Sequence, residues 1–270
     1  MIEEAIISGS CEPSLASPDA VELRTFVSRE CGATGFSTGT AIFKGHALLP
    51  YHLHDCSEAI TILAGAALVA VEGRGYRLGR LDCIHIPAGV PHSIQNANQD
   101  SALVAHWSFA SPAPARTYTG DAQMFADRGD PLPGDPEHLN RFSKAAVYEL
   151  AAGAWFSDLF AKRFGSVGIC GGYGRFSIGS SLPCHTHAYD ESITILRGSA
   201  TCLVQGARYQ LDGGFNTAFV PRGKPHRFLN SGQAEMEMLW VYAGDEPDRA
   251  VVDNQYCSGV LPWPEAVGTF

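Results

Sequence analysis

The sequence predicts an all-β protein built from two tandem domains. Three observations carry this prediction: β-branched stretches of strand length, Gly and Pro punctuation at intervals of roughly 8 to 12 residues, and an internal repeat. The stretches EAITILAGAALVAVEG and ESITILRGSATCLVQG begin at residues 58 and 191, and glycine interrupts both at the same point. This rhythm is typical of a β-sandwich or β-barrel.

The repeat can be counted directly along the chain. Four residues of a first motif recur at a displacement of 133, and four of a second motif recur at 134. The first motif is His52, His54, Glu58 and Gly65, which recurs as His185, His187, Glu191 and Gly198. The second is Pro87, Gly89, His92 and Asn96, which recurs as Pro221, Gly223, His226 and Asn230. One residue is therefore inserted between the two motifs in the second half.

The repeats are separated by a stretch with the composition of a linker. Residues 111–140 are rich in Pro, Gly and Asp and lack apolar periodicity. We predict an N-terminal barrel with an N-terminal arm over residues 1–112, a linker over 113–145, and a C-terminal barrel with a tail over 146–270. Residues 144–163 begin with a helix-compatible pattern, but the repeat maps 156–163 onto 23–30, so their structure stays open.

Composition excludes several classes of function. An apolar content of 45% with 17% charged residues is that of a compact globular protein. A net charge of −9 without any run of Lys and Arg argues against nucleic acid as a partner. No apolar stretch reaches the roughly 18 residues of a spanning helix, and the N-terminus lacks the pattern of an export signal. We therefore expect a cytoplasmic protein without a membrane partner.

The eight cysteines form no CxxC pair and no dense framework. The simplest interpretation is that they are reduced thiols that serve as small buried hydrophobic residues. The alternative concerns Cys56 and Cys184, which lie inside the histidine motifs and could be sensitive to oxidation.

The histidine motifs have the chemistry of a metal site. His-x-His places two imidazoles on the same face of a strand, because side chains alternate with a period of two. A glutamate four residues after the second histidine can point into the same interior, and a third imidazole follows the PxGxxH turn. Three nitrogen donors and one oxygen donor suit divalent Mn, Fe, Co, Ni, Cu or Zn. Such a set leaves coordination positions open for catalysis.

These motifs carry a family resemblance. YHLHDCSEAITILAG with PAGVPHSIQN, and GSSLPCHTHAYDESITILRG with PRGKPHRFLN, resemble the two signature motifs of the cupin superfamily, and their duplication resembles the bicupins. The resemblance implies two antiparallel jelly-roll barrels in a bicupin arrangement. It also implies one divalent transition metal per domain, with Fe or Mn favoured and Ni, Zn, Cu and Co as alternatives. The implied ligands are His52, His54, Glu58 and His92 in one barrel and His185, His187, Glu191 and His226 in the other.

The sequence also departs from one group of bicupins. Oxalate decarboxylases carry an arginine three residues before the first histidine of the motif, where this chain has Leu49 and Leu182. This difference argues against a small dicarboxylate held by an arginine clamp.

Few acid or base groups accompany the ligands. Besides Glu58 and Glu191, the candidate catalytic residue is His106, which lies fourteen residues after His92 where the same count in the second half reaches Trp240. If its strand faces inward, His106 is a candidate proton shuttle. The alternative is a core or surface histidine without a catalytic role.

Three functions compete at this stage. An apolar pocket lined by Ile60, Ile193 and their neighbours favours an oxygen-using enzyme that acts on a small aromatic or weakly polar molecule, in the manner of quercetinase-like and gentisate dioxygenase-like cupins. The first alternative is a non-redox isomerase, lyase or aminohydrolase. The second is a metal-stabilised module that binds a small ligand. In each case we expect a small-molecule partner and a monomer or homodimer.

Overall fold

The structure, a computed structural model, describes residues 2–10, 20–120 and 126–264. Over these ranges nearly all regular structure is strand, with one α-helical turn, α1 (Asn254–Cys257), and three 3-10 turns at Arg29–Cys31, Phe142–Lys144 and Lys162–Phe164. The strands of the first half are β1 (Ala5–Ile7), β2 (Val21–Val27), β3 (Ser37–Phe43), β4 (Leu48–His54), β5 (Glu58–Ala64), β6 (Ala67–Val71), β7 (Arg74–Leu78), β8 (Cys83–Ile86), β9 (His92–Asn96), β10 (Leu103–Phe109), β11 (Arg116–Tyr118) and β12 (His138–Asn140). Those of the second half are β13 (Tyr148–Ala151), β14 (Ala154–Phe160), β15 (Cys170–Phe176), β16 (His185–Thr186), β17 (Glu191–Arg197), β18 (Ser199–Val204), β19 (Ala207–Asp212), β20 (Thr217–Val220), β21 (His226–Asn230), β22 (Met236–Tyr242) and β23 (Ala250–Val251).

The strands assemble into four antiparallel sheets, two for each domain. In the N-terminal domain a six-stranded sheet, β12-β8-β5-β10-β3-β2, accompanies a five-stranded sheet, β11-β4-β9-β6-β7. In the C-terminal domain a seven-stranded sheet, β1-β20-β17-β22-β15-β14-β13, accompanies a five-stranded sheet, β19-β18-β21-β16-β23. Each pair of sheets encloses its own apolar core. The prediction of an all-β chain with two tandem antiparallel barrels is confirmed.

The larger sheets are buried on both faces. On β5, Glu58, Ile60 and Ile62 alternate toward the interior of the N-terminal barrel, whereas Ala59 and Leu63 belong to a separate apolar cluster on the opposite face. The C-terminal domain contributes Phe219 and Leu239 to that same cluster, among others. This double burial explains why the sequence of β5 is a continuous apolar run and not an alternating one.

The two barrels therefore pack sheet against sheet. Polar contacts accompany the apolar cluster between them: the Thr38 and Ser192 hydroxyls lie 3.2 Å apart, and the Thr34 amide donates to Asp190 Oδ2 at 3.1 Å. The two halves of one chain thus bury against each other the outer faces of their larger sheets.

The predicted linker contains strands of the N-terminal domain. β11 pairs with β4, and β12 pairs with β8, although both lie within residues 113–145. Each is only three residues long, too short to produce a periodic pattern. The N-terminal arm crosses to the other domain, since β1 pairs with β20, and residues 148–160 form β13 and β14, not a helix. The exact domain boundaries stay a prediction.

The expectation of reduced cysteines is wrong for one pair. Cys184 and Cys257 form a disulfide with their Cα atoms 5.9 Å apart. The tail carries Cys257 back to the motif, because the Val252 amide donates to the Cys184 carbonyl and the Cys184 amide donates to Asn254 Oδ1, both at 2.9 Å. Five cysteines are free thiols: Cys31, Cys56, Cys83, Cys170 and Cys202. Cys11 lies outside the described residues.

The prediction of a cytoplasmic location stays untested. Across the described ranges the chain has no helix with the length and apolarity needed to traverse a bilayer.

Candidate metal centres

The structure brings each set of three histidines and one glutamate together inside its barrel. His52, His54, Glu58 and His92 form one group, and His185, His187, Glu191 and His226 form the other. All eight side chains are buried, and in each group the atoms able to bind a metal lie within 4.8 Å of one another.

Each group draws its members from both sheets of the barrel. In the N-terminal domain β4 carries His52 and His54, and its neighbour β9 places His92 directly across from His52. Glu58 begins β5 in the six-stranded sheet and reaches the histidines from the opposite side. The C-terminal domain repeats this arrangement with His185 across from His226. Convergence therefore depends on closure of the barrel and not on sequence proximity.

Hydrogen bonds fix the orientation of all six imidazoles. Each Nδ1 donates to a backbone carbonyl: His52 to Pro50 at 2.7 Å, His54 to Ala115 at 2.6 Å, His92 to Val90 at 3.0 Å, His185 to Pro183 at 2.8 Å, His187 to Asp248, and His226 to Lys224 at 2.8 Å. With Nδ1 protonated, Nε2 carries the free lone pair of the neutral ring. Backbone acceptors of this kind are the usual outer partners of metal-binding histidines.

The inward-facing atoms have no adequate partners in the protein alone. The Nε2 atoms of His52, His54 and His187 are buried and accept no hydrogen bond from a described residue. His92 Nε2 lies 2.8 Å from Glu58 Oε2, and His226 Nε2 lies 2.6 Å from Glu191 Oε2. Buried polar atoms are rarely left unsatisfied. A divalent cation at the centre of each group would satisfy them together.

The ionisation states also suit a cation. Burial, with a contribution from the neighbouring His92, lowers the pKa of His52 to about 3. Burial likewise holds the pKa of His185 well below its usual value. Burial opposes ionisation of Glu58, but the pull of His54 and His92 outweighs it and lowers its pKa to about 2. Glu191 is held ionised in the same way. Neutral imidazoles and an ionised carboxylate are the forms that bind metals.

These observations fit a divalent transition metal in both barrels, through three imidazole nitrogens and one carboxylate oxygen. The chain has two metal-binding sites, one in each domain, so the predicted cofactor stoichiometry is confirmed.

Comparison with known proteins agrees with this arrangement. The family model described as "Cupin domain" matches the chain twice, over residues 40–109 and 173–242. The chain belongs to the cupin family. Its two copies make it a bicupin metalloprotein, as the motifs predicted.

Solved structures share the fold of this bicupin at low sequence identity. Oxalate decarboxylase from Bacillus subtilis at pH 4.6 is 16% identical with a TM-score of 0.73, and the match covers 92% of this chain and 78% of that one. A structure from work on the Mn(II) centres of the same Bacillus subtilis enzyme is 15% identical with a TM-score of 0.73. That match covers 92% of this chain and 79% of the enzyme chain. No curated protein sequence matches the chain.

Aromatic rings form a wall beside each metal site of the cupin. The Phe109 ring lies 4.4 Å from the His54 ring, and its neighbour Trp107 lies 5.3 Å from Phe109. In the second barrel Tyr242 lies 4.4 Å from His187, with Trp240 at 4.9 Å from Tyr242. The sequence did not single out these rings, although Trp107 and Trp240 are separated by the repeat distance of 133.

Two glycines make room for the tryptophans. A Cβ atom on Gly39 would lie 2.2 Å from Trp107 Cζ2 and 2.0 Å from the Arg24 carbonyl oxygen. On Gly172 it would lie 2.7 Å from Trp240 Cζ2 and 2.2 Å from a carbonyl oxygen. These positions are also separated by 133.

Gly172→Ala should therefore destabilise the protein by about 1 to 3 kcal/mol, because overpacking forces the ring or the strand to move. Denaturant unfolding measures the loss, and near-ultraviolet circular dichroism reports on the indole. Gly79→Ala is the matched control, since its Cβ would meet nothing closer than 3.9 Å. Equal stability of the two variants would contradict this account of the glycine.

The structure does not bring His106 to the metal. Ala105 and Trp107 face the barrel interior, so His106 between them faces the other domain. It is buried, burial lowers its pKa to about 3, and its one described polar contact is a Ser108 hydroxyl at 3.4 Å. The geometry therefore gives no support to a role as proton shuttle.

The expectation for His106 arose from a slip in the alignment of the repeat. Between the strand that begins with the third histidine and the last long strand, the first half has six residues (97–102) and the second has five (231–235), so the displacement returns to 133. The strand registers show this, because Leu103 pairs with Phe43 as Met236 pairs with Phe176. The counterpart of His106 is thus Leu239, a residue of the apolar cluster between the barrels.

Sequence reasoning also missed two arginines. Arg116 begins β11 directly across from His54, and Arg249 immediately precedes β23, the partner of β16. Arg116 follows Ala115, whose carbonyl orients His54. Arg249 follows Asp248, whose carbonyl orients His187. The signal was present, because Pro114 and Arg116 recur as Pro247 and Arg249 at the repeat distance. It was overlooked because residue 116 fell in the predicted linker.

Proposed function

We propose that this bicupin is a metal-dependent enzyme that uses dioxygen to oxidise a small molecule with an aromatic or weakly polar body. One observation carries the proposal: in each barrel four converging ligand atoms adjoin a wall of aromatic side chains. A divalent Fe or Mn ion bound there supplies Lewis acidity, redox chemistry and coordination positions that the four protein atoms do not fill. Manganese centres in a protein of the same fold support the choice of metal.

The residues of the chain have separable tasks in this proposal. The carbonyls of Pro50, Ala115 and Val90 hold the three imidazoles of the first site in one orientation. Glu58 adds a negative charge to the ligand set and remains ionised. Trp107 and Phe109 exclude water and offer a flat apolar surface to the substrate.

The test is oxygen uptake by purified protein reconstituted with Fe(II) or with Mn(II). We expect uptake with a small catechol or flavonol that depends on the metal and ends when a chelator is added. The His52→Ala/His185→Ala double variant should show none, because both sites lose a ligand. Turnover that proceeds equally well without oxygen would refute the oxygen-using function.

The second candidate is a non-redox reaction, such as that of an isomerase, lyase or aminohydrolase. It is favoured by Tyr242, whose hydroxyl gives the second site a proton-bearing group where the first site has Phe109. Anaerobic turnover, lost in Tyr242→Phe with both metals retained, would select this function over the first.

A further inference from the structure

A cavity large enough for a small organic molecule lies beside the aromatic wall of each metal site. The first measures about 390 Å³ and is lined by His54, Trp107, Phe109 and Arg116. The second measures about 450 Å³ and is lined by Trp240, Tyr242 and Arg249. Residues separated by the repeat distance form the inner wall of both cavities, so they are equivalent features of the two barrels.

Arg116 lies between the first cavity and the metal ligands. It lines the cavity beside His54, and it also lines a small void inside the barrel together with Glu58 and Leu49. Its positive charge contributes to the lowered pKa values of His52 and His54, which places the guanidinium near both rings. Its Nε is buried without a hydrogen-bond partner, and Arg116 forms no ion pair with any residue of the described ranges.

Arg249 occupies the same place in the second barrel. Its Nε is also buried without a partner, and within the described part of the chain no carboxylate pairs with it. Its guanidinium carbon lies 6.0 Å from the centre of the Phe156 ring. Its guanidinium contacts the Tyr242 hydroxyl, where hydrogen bonding and positive charge oppose the rise in pKa that burial causes.

An arginine left without an acidic partner beside an apolar wall is unusual. At the second cavity Arg163, by contrast, is neutralised by Asp158 and Glu246. The side chains of Arg116 and Arg249 are both half-buried with Nε enclosed, and burying even part of a guanidinium without a counter-charge is costly. Around a divalent cation, three neutral imidazoles and one carboxylate also leave net positive charge. Both facts favour an anion in each cavity.

We propose that Arg116 and Arg249 anchor a carboxylate of the substrate, so that the substrate class is a small organic carboxylate with an apolar or aromatic body. This inference rests on the proposed function of the same sites. A carboxylate matches the planar fork of arginine. A more highly charged phosphate fits less well, because Asp158, Glu246 and Asp248 also line the second cavity.

This inference corrects an expectation from the sequence. Leu49 and Leu182 do stand where oxalate decarboxylases carry an arginine, and both are buried core residues. The arginine instead comes from a later segment of each half. Arg116 begins the strand that pairs with β4, and Arg249 precedes the strand that pairs with β16. The absence of arginine at one position therefore does not exclude recognition of a carboxylate by arginine.

The test is isothermal titration of the metal-loaded chain with benzoate, pyruvate and acetate as probes, and with benzamide and inorganic phosphate for comparison. We expect at least one carboxylate to bind, with benzamide and phosphate weaker. Arg116→Gln and Arg249→Gln should each weaken the affinity of one of two sites by about ten- to a hundredfold, as expected for a lost charged hydrogen bond. Arg208→Gln, on the exposed outer strand β19, is the matched control.

Metal content and circular dichroism verify that each variant is folded and holds both metals. Unchanged carboxylate affinity in the arginine variants, equal binding of benzamide or phosphate, or no carboxylate binding by the wild type would each overturn the anchor. Failure of the proposed function looks different. In that case the carboxylate binds in an arginine-dependent manner, but no candidate substrate is turned over.

Discussion

Replacement of His52 by alanine should lower the metal content of the purified chain from two equivalents to one, and His185→Ala should do the same independently. Each substitution removes one of four ligand atoms and leaves a buried gap that the neighbouring strands cannot close. Loss of an outer partner alone typically weakens metal binding by about 10- to 100-fold, so loss of a ligand should be at least as severe. Elemental analysis after gel filtration measures the effect.

The matched control is His106→Leu. It introduces the residue that the repeat places at the equivalent position, Leu239, and it should retain both equivalents. The double variant His52→Ala/His185→Ala should retain none. Loss of both metals in a single variant would show that the two sites are not independent. Two equivalents in the double variant would show that the metal binds elsewhere.

The ligand set could be predicted because the repeat reports it twice. A lone His-x-His pair is weak evidence, but the same spacing at 52 and 185, followed by His92 and His226, restricts the interpretation to a shared site. The all-β class could be predicted from the β-branched stretches with Gly and Pro punctuation, and the resemblance of the same motifs to the cupin superfamily implied the two barrels. A spacing pattern therefore predicts best the residues of the site that lie on long, regular strands.

The remainder of the site lies on short or irregular segments. Arg116 begins a strand of three residues and Arg249 precedes one of two residues, and alternation cannot be recognised in strands so short. Trp107 was missed and His106 selected because one residue of loop changed the register, and a shift of one reverses the face of every side chain. Errors of this kind are resolved only by strand pairing.

The disulfide shows a different limit. Its partners are 73 residues apart, and the repeat counterpart of Cys184 is Tyr51, so duplication gives no indication of the pair. Only the path of the tail, which returns to the motif along β16, brings Cys257 to it.

Loss of this disulfide should have the largest effect on stability. A bridge that closes a loop of this length contributes about 2 to 4 kcal/mol, which corresponds to a fall of roughly 5 to 10 °C in Tm. Wild-type protein should show this fall when a reductant is added. Cys257→Ser should show it without reductant and then be insensitive to reductant. Cys56→Ser, which removes a free thiol from the equivalent motif, is the control.

Loss of the disulfide should also affect metal retention differently at the two metal sites. Cys184 immediately precedes His185, and the tail that ends at Cys257 contributes both the Asp248 carbonyl that orients His187 and the strand that pairs with His185. Without the bridge this tail is held by non-covalent contacts, such as the hydrogen bond from the Cys184 amide to Asn254 Oδ1. The first site does not depend on a disulfide among the described residues. A chelator should consequently remove one metal from Cys257→Ser faster than the other, and the slower one should leave at the wild-type rate. Equal release of both metals from the variant would contradict this asymmetry, because the tail would then contribute nothing specific to the second site.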